Sequence, residues 1–133
     1  MANEAVIIEL LGNGGDPIRY TVADGTNIPK GSIMYLSGDR TMTITTAASQ
    51  KTVGIAASEK VANDGSTNLA VYTNGIFDLK DSGAGITLGV AVATDGVNLI
   101  KTAPAAAAEA GAVLGRALEE AGAHEVIAVR VLV

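Results

Sequence analysis

Short apolar runs, separated by clusters of glycine, asparagine and aspartate, make up most of the chain. Two of these runs, SIMYLS and TMTITT, flank the turn-forming residues Gly38-Asp39-Arg40. Runs of this length, bounded by turn residues, are typical of β-strands. The last run, HEVIAVRVLV, alternates apolar positions with polar or small ones, which indicates a final strand with one buried face. The hydrophobic pattern therefore predicts an all-β, or mainly β, fold.

Three stretches depart from this simple pattern. The apolar positions of AVIIELL are too dense for a half-exposed strand, so something should cover it, and we predict an extended arm or hairpin over residues 1–24. Residues 102–112, TAPAAAAEAGA, favour a short helix or a loop of small residues, so the fold should contain at most one or two short helices. Asn74-Gly75 is a turn dipeptide, but its short flanking runs favour a bend or bulge in a strand.

One short phrase occurs twice in the chain. Each copy has an isoleucine, a glycine three residues later and a second glycine seven further on, at an offset of 86 − 28 = 58 residues. Each half then reads as one supersecondary unit that cannot close its own core, so the two together predict a small β-barrel or sandwich. We expect a single β domain over 25–133, with similar halves at about 28–80 and 86–133. The matched segments are 28–38 with 86–96, 53–58 with 114–119, and 69–75 with 126–132.

Composition narrows the possible partners. Hydrophobic residues make up 48% of the chain and aromatic residues 3%, so the core should be aliphatic, and contacts with partners should be flat or made through the main chain. The net charge of −5, without a basic cluster, argues against direct binding to nucleic acid or to an anionic membrane. The chain has no cysteine, no basic region typical of a signal peptide, and no apolar run near the roughly 18 residues that span a bilayer.

The residues capable of chemistry are few and isolated. His124 is the one histidine, and a zinc site would need further histidine or cysteine ligands. The glycine-rich stretch Gly12–Gly15 matches neither a dinucleotide-binding nor a phosphate-binding loop, so a turn is favoured there. Glu119 and Glu120 are adjacent, which favours a solvated acidic turn over facing catalytic carboxylates. We therefore predict no catalytic residues, no metal site and no cofactor.

Four motifs, standing in order, carry a resemblance to a known family. Lys30–Gly38 reads K-G-x-x-x-x-L-S-G, Gly54–Ala56 reads G-I-A, Gly75–Leu79 reads G-I-F-D-L, and Gly115–Val131 begins G-x-A-L-E and closes V-x-V. Together with their flanking residues they resemble the capsid decoration, or head cement, proteins of tailed viruses, including bacteriophages, of the lambda-decoration type. The resemblance extends over nearly the whole chain.

The resemblance implies a fold, a partner and a location. It implies a mainly β homotrimer that binds the major capsid protein on the outer surface of the mature icosahedral capsid, at three-fold or quasi-three-fold sites. It also implies a protein made in the host cytoplasm that stabilises the virion against the pressure of packaged DNA, without catalysis. In such proteins an extended N-terminal segment commonly contacts the capsid, which would explain the dense apolar run. The expected capsid-binding residues are Ala5, Val6, Ile7, Ile8, Glu9, Leu10 and Leu11.

Alternatives remain open at this level. Residues 5–11 are equally compatible with an internal strand of the barrel, rather than an arm that adds to a sheet of the capsid or of a neighbouring subunit. The whole chain is also compatible with another structural β-module of a virion, such as a tail or fibre component. A small β-barrel domain of an enzyme is a third and weaker reading, and it predicts a monomer or dimer with a polar pocket.

Overall fold

The computed structural model describes residues 3–11 and 17–133. These residues form eleven β-strands and no helix, which confirms the all-β prediction. Residues 105–111, in the stretch where a short helix or a loop was expected, form consecutive turns. The glycine-rich turn predicted at Gly12–Gly15 lies outside the described residues. The strands are β1 (Val6–Leu10), β2 (Ile18–Thr21), β3 (Ile33–Gly38), β4 (Thr41–Ile44), β5 (Thr52–Ala56), β6 (Asn68–Tyr72), β7 (Asn74–Asp81), β8 (Ala91–Thr94), β9 (Leu99–Thr102), β10 (Gly115–Ala117) and β11 (Val126–Leu132).

Two five-stranded barrels follow one another along the chain. The first closes in the order β2-β4-β3-β5-β6. In the second, β7-β11-β10-β8-β9 is closed by pairing between β7 and β9, and β1 adds to the outside edge of β7. In each barrel one pairing is parallel, β2 with β4 and β7 with β9, and the remaining pairings are antiparallel. The fold is thus built from two similar halves, as the sequence predicted.

The strand pairings align the two barrels residue by residue. Ile55 pairs with Tyr72 in the first barrel, and Arg116 pairs with Arg130 in the second. Tyr72 therefore corresponds to Arg130, which is one residue away from the alignment of 69–75 with 126–132 expected from sequence. The first strand of each barrel, β2 or β7, precedes the repeated phrase. The division into an arm over 1–24 and halves at 28–80 and 86–133 stays a prediction.

Two aliphatic cores fill the molecule. One cluster fills the first barrel, and its largest members include Ile28, Met34 and Met42. The other fills the second barrel around Phe77 and Leu79, and it also takes in two residues of the first barrel, Ile33 and Ile55. The full lists are Val22, Ile28, Met34, Met42, Ile44, Val53, Ala56, Leu69 and Val71 for the first, and Ile33, Ile55, Phe77, Leu79, Ile86, Val92, Ile100, Leu114, Ala117, Ala121, Ile127, Val129 and Val131 for the second. The second core therefore also forms the joint between the barrels.

Residues near the joint show why these segments form strands. All of β5 is buried, because one face lines the first barrel and the other packs on the second. Along β7 the odd-numbered residues are buried and the even-numbered ones half-buried, which is the alternation of a strand with one face in the core. Asn74 and Gly75 begin β7, so this turn dipeptide lies in a strand and does not form a hairpin turn.

Candidate binding surface

The strand β1, which contains most of the predicted capsid-binding residues, lies at the edge of a sheet of its own chain. Val6 pairs with Asp78 and Leu10 with Gly75, and a bulge at Ile8 shifts the register between these pairs. The backbone approaches so closely that a Cβ added to Gly75 would lie 2.8 Å from the carbonyl oxygen of Glu9. Only glycine leaves room for this approach. No strand of the described residues pairs with the other edge of β1.

The side chains of this segment divide between the core and the solvent. Ala5, Ile7 and Leu10 are partly buried and pack against the core of the second barrel. Val6 and Ile8, by contrast, are 58% and 54% exposed, although both are aliphatic. Glu9 is exposed as well, and Leu11 is half-buried. The structure thus covers one face of the dense apolar run and leaves the other free.

The exposed face of β1 continues into the outer surface of the second barrel. A row of cross-strand neighbours runs over five strands, in which each residue pairs with the next. Directly paired residues on neighbouring strands point to the same face of a sheet. The row consists of Glu9, Ile76, Arg130, Arg116 and Ala91. The N-terminal strand and this barrel therefore present one continuous outward face.

A shallow groove of about 510 Å³ lies on this face, over β8, β10 and β11. Leu118 and Leu132 line it with 40% and 60% of their surface exposed. The Nη2 of Arg130 donates a 2.9 Å hydrogen bond to the Oδ1 of Asn74, whereas its buried Nε has no partner among the described residues. The lining residues are Gly89, Ala91, Val113, Gly115, Arg116, Leu118, Arg130 and Leu132. The groove combines aliphatic walls with two cationic side chains.

The matching face of the first barrel is covered. Its cross-strand row is Ile33, Ile55 and Tyr72, which correspond to Ala91, Arg116 and Arg130. Ile33 and Ile55 are buried in the second core, and the Tyr72 ring lies 6.1 Å from the Phe77 ring between centroids. The hydrophobic pattern of the sequence did not predict the groove. The repeat gave one signal for it, since the alignment of 53–58 with 114–119 sets Arg116 opposite the apolar Ile55.

A buried cation lies at one end of the first barrel. The Nζ of Lys60 is 2.8 Å from the Oδ1 of Asp64 and 3.1 Å from the Oδ1 of Asp24, and the Lys60 side chain is fully buried. Burial acts to lower the pKa of Lys60, but the hydrogen bonds to both carboxylates outweigh it and the pKa is raised above 10.5. The hydrogen bond from Lys60, supported by the backbone N–H of Ser66, lowers the pKa of Asp64 to about 2. These contacts fasten the loop that joins β5 to β6.

Other polar side chains at the barrel ends have structural roles. The buried Asp81 accepts hydrogen bonds from the backbone N–H groups of Gly83 and Gly85, which is turn chemistry. Glu119 accepts a hydrogen bond from the N–H of Ala128, and the ring of His124 packs over Gly83. Across residues 3–11 and 17–133, no three metal-ligating side chains come together. In the same residues no helix has the length and apolar character needed to cross a bilayer.

Comparison with known proteins gives one family. A family model described as "Phage cement protein" matches residues 12–133. The match begins just after the segment that contains β1 and includes both barrels. No curated protein matches the chain.

Proposed function

The chain belongs to the phage cement protein family, and from this premise we propose how it carries out a capsid-stabilising structural role. It binds the outer surface of the mature icosahedral capsid as a homotrimer, at three-fold or quasi-three-fold sites, and contacts the major capsid protein. By bridging neighbouring capsid subunits it resists the outward pressure of packaged DNA. The single observation that carries this proposal is the family match over both barrels.

Binding alone accounts for the stabilisation. A protein that binds the mature shell, and not its dissociated subunits, stabilises the shell by mass action. A trimer that touches several capsid subunits at once gains avidity, even when each contact is weak. The net charge of −5 supports a position outside the shell, away from DNA. The role needs no catalysis, no nucleic acid and no membrane, and we assign the protein none of them.

The N-terminal segment is our candidate for the capsid contact. The sequence predicts residues 5–11 as the capsid contact, and Val6 and Ile8 are exposed on β1, whose outer edge pairs with no strand of the described residues. Exposed edge strands readily accept a further strand from another chain, with hydrogen bonds from the main chain and specificity from alternate side chains. β1 can therefore remain on its own barrel while its free edge and exposed side chains contact the major capsid protein.

Cosedimentation with purified capsids tests the function. We expect the protein to saturate mature capsids at one trimer per three-fold or quasi-three-fold site, and to raise the temperature at which filled capsids release DNA. Light scattering over a range of concentrations gives the mass of the free protein. A protein that does not cosediment with mature capsids would refute the proposal.

Paired substitutions test the segment. The Val6→Asn, Ile8→Asn double variant replaces two exposed side chains, so its fold should remain intact, while capsid affinity falls by about tenfold or more. Val61→Asn is the matched control, because Val61 is 55% exposed and lies in a loop of the first barrel. Equal capsid affinity for the double variant and the control would exclude β1 as the capsid contact.

A further inference from the structure

Two glycines occupy corresponding positions in the two barrels and have the same backbone conformation. Gly31 has a φ of 91° and Gly89 a φ of 82°. Each donates its N–H to a corresponding carbonyl, Gly31 to Ala56 at 2.9 Å and Gly89 to Ala117 at 3.0 Å. The same backbone conformation, with the same hydrogen bond, therefore occurs once in each barrel.

The first of these sites is occupied by the chain itself. The N–H of Ala5 donates a 2.6 Å hydrogen bond to the carbonyl oxygen of Gly31. A Cβ added to Gly31 would lie 2.6 Å from the oxygen of Ala5 and 3.0 Å from the Cβ of Glu4. The N-terminal segment therefore crosses Gly31 in contact with it, and Gly31 is buried as a result.

The second site is open. No described atom lies within 4 Å of a Cβ added to Gly89, and the residue is exposed. Gly89 lines the groove on the outer face of the second barrel. The described residues that precede β2 contact Gly31, and none of the described residues covers Gly89. Another molecule is therefore the candidate to cover Gly89.

The lining of the groove indicates the chemistry of its occupant. Arg116 and Arg130 stand where the first barrel has Ile55 and Tyr72. All ion pairs found among the described residues belong to Lys60, so neither arginine has a carboxylate partner there. Arginine pairs strongly with carboxylates, often through two hydrogen bonds. The occupant should therefore combine carboxylates with apolar side chains that pack on Leu118 and Leu132. Glu4-Ala5, at Gly31, shows that an acidic residue beside a small one fits such a site.

We propose that the Gly89 groove binds an extended, acidic and apolar segment of the major capsid protein. A small residue of that segment lies over Gly89 and donates its N–H to the Gly89 carbonyl, and a neighbouring carboxylate pairs with Arg116 and Arg130. The groove belongs to the same outward face as Val6 and Ile8, the proposed capsid contact of β1, and this favours a capsid subunit over a second copy of this chain. The assignment of the partner rests on the proposed function.

Charge reversal at Arg116 tests the partner. Arg116→Glu should weaken capsid binding by about tenfold or more. Arg19→Glu is the matched control, because Arg19 is exposed on β2 and its reversal changes the net charge equally. We expect less than about a twofold change for the control, which reports long-range electrostatics alone. Equal losses for the two variants would overturn the proposal. Loss of self-association by Arg116→Glu without capsids would also overturn it and assign the groove to a second copy.

A peptide probe separates this inference from the proposed function. The probe is the synthetic peptide NEAVIIEL, the sequence of residues 3–10, titrated into the isotope-labelled full-length protein. Amide signals of Gly89, Ala91 and Arg116 should shift, while those of Arg116→Glu should stay unchanged. The charge-reversed peptide NKAVIIKL should cause no shift. Absence of shifts with NEAVIIEL would overturn the groove as a site for acidic extended segments, whether or not the protein binds capsids. If the peptide NEAVIIEL shifts these amide signals but the intact protein does not bind capsids, the groove is still a site for acidic extended segments and the proposed function is refuted.

Discussion

The two barrels share one strand order but use the same outer face in different ways. In the first barrel the cross-strand row Ile33, Ile55 and Tyr72 is apolar and packs against the second core. In the second barrel the corresponding row contains Arg116 and Arg130 and faces outward. One copy of the repeated face thus forms the joint inside the molecule, while the other faces outward. The same backbone design therefore has a covered face in one barrel and a free face in the other, among the residues that the structure describes.

The ends of the barrels differ in their interior chemistry. Ile28 forms an isolated bridge with Lys60 in the first barrel, and Ile86 forms the same bridge with Ala121 in the second. A cation with two carboxylate partners therefore occupies one barrel where a methyl group occupies the other. The next loop keeps its geometry nonetheless, because Asn63 and His124 both have a φ near 64°. Backbone conformation has been retained at positions where the side-chain interactions differ.

Removing the aromatic ring at the joint should have the largest effect. Phe77 is fully buried, and its counterpart by strand pairing is Ile18, which is 43% exposed. We expect Phe77→Ala to lower the free energy of unfolding by about 3–5 kcal/mol, since a buried ring is lost and a cavity remains. Ile18→Ala should cost about 1 kcal/mol or less, because much of its side chain is already in water. Urea unfolding measures both.

The joint would be a minor element of stability if the two substitutions had equal effects. A change in the urea dependence for Phe77→Ala would have a different meaning. It would show that the barrels unfold separately once the ring is removed, since the slope reports the surface exposed in one cooperative transition.

The sequence contains enough information for the repeat and for the strands, but not for the joint. Period-two alternation and turn residues mark β7 and β11 because each has one face in a core. β5 is buried on both faces, and no alternation can reveal which face meets the other barrel. The dense apolar run at residues 5–11 was recognised as needing cover. Its pairing with β7 was not, because strand pairing over such a sequence distance depends on the close approach at Gly75, which is a tertiary feature.

The groove on the second barrel could not be predicted from the hydrophobic pattern of the sequence either. Arg116 and Leu118 lie on or just after β10, and Arg130 and Leu132 lie on β11, so the two pairs meet through the register of these strands. The family motifs coincide largely with the strands β3, β5, β7, β10 and β11, and their pattern does not show which face of the barrel binds a partner. Aligning the halves would have identified Arg116 as a departure from its apolar counterpart Ile55. In the alignment of 69–75 with 126–132 Arg130 stands opposite Thr73, and only the strand pairings match it with Tyr72.

Alanine substitutions at the two matched glycines, Gly31 and Gly89, should change the free energy of unfolding by an intermediate amount. Gly89→Ala should cost about 1–2 kcal/mol, which is the penalty for a side chain in the left-handed region. Gly31→Ala incurs the same penalty, and its Cβ also collides with the backbone of Ala5, which adds about 1–3 kcal/mol. Chemical unfolding measures the difference between the two variants. Equal losses would mean that the N-terminal segment moves away from Gly31 at no cost. A fall in capsid affinity for Gly89→Ala, measured where the variant is fully folded, would support the proposal that the groove binds the capsid.

The smallest expected effect is on the pH dependence of stability. It should differ between the loop that joins β5 to β6 and the corresponding loop that joins β10 to β11. The pKa of Asp64 is lowered from 3.8 to about 2 by its hydrogen bond from Lys60, so the folded state favours its ionised form. Its contribution is therefore complete above the ordinary pKa and is lost as the pH falls from about 4 towards 2. We expect Asp64→Asn to be less stable than the unmodified protein near neutral pH, with the difference narrowing over that acid range.

Glu125→Gln is the control, because Glu125 accepts the N–H of Gly122 much as Asp64 accepts that of Val61. No lysine or arginine of the described residues forms an ion pair with Glu125. Unfolding curves recorded at successive pH values give both differences. If the Asp64→Asn difference stayed constant down to about pH 2, the Lys60 contact would contribute nothing to stability, and the two barrels would be equivalent at this end despite the cation buried in one of them.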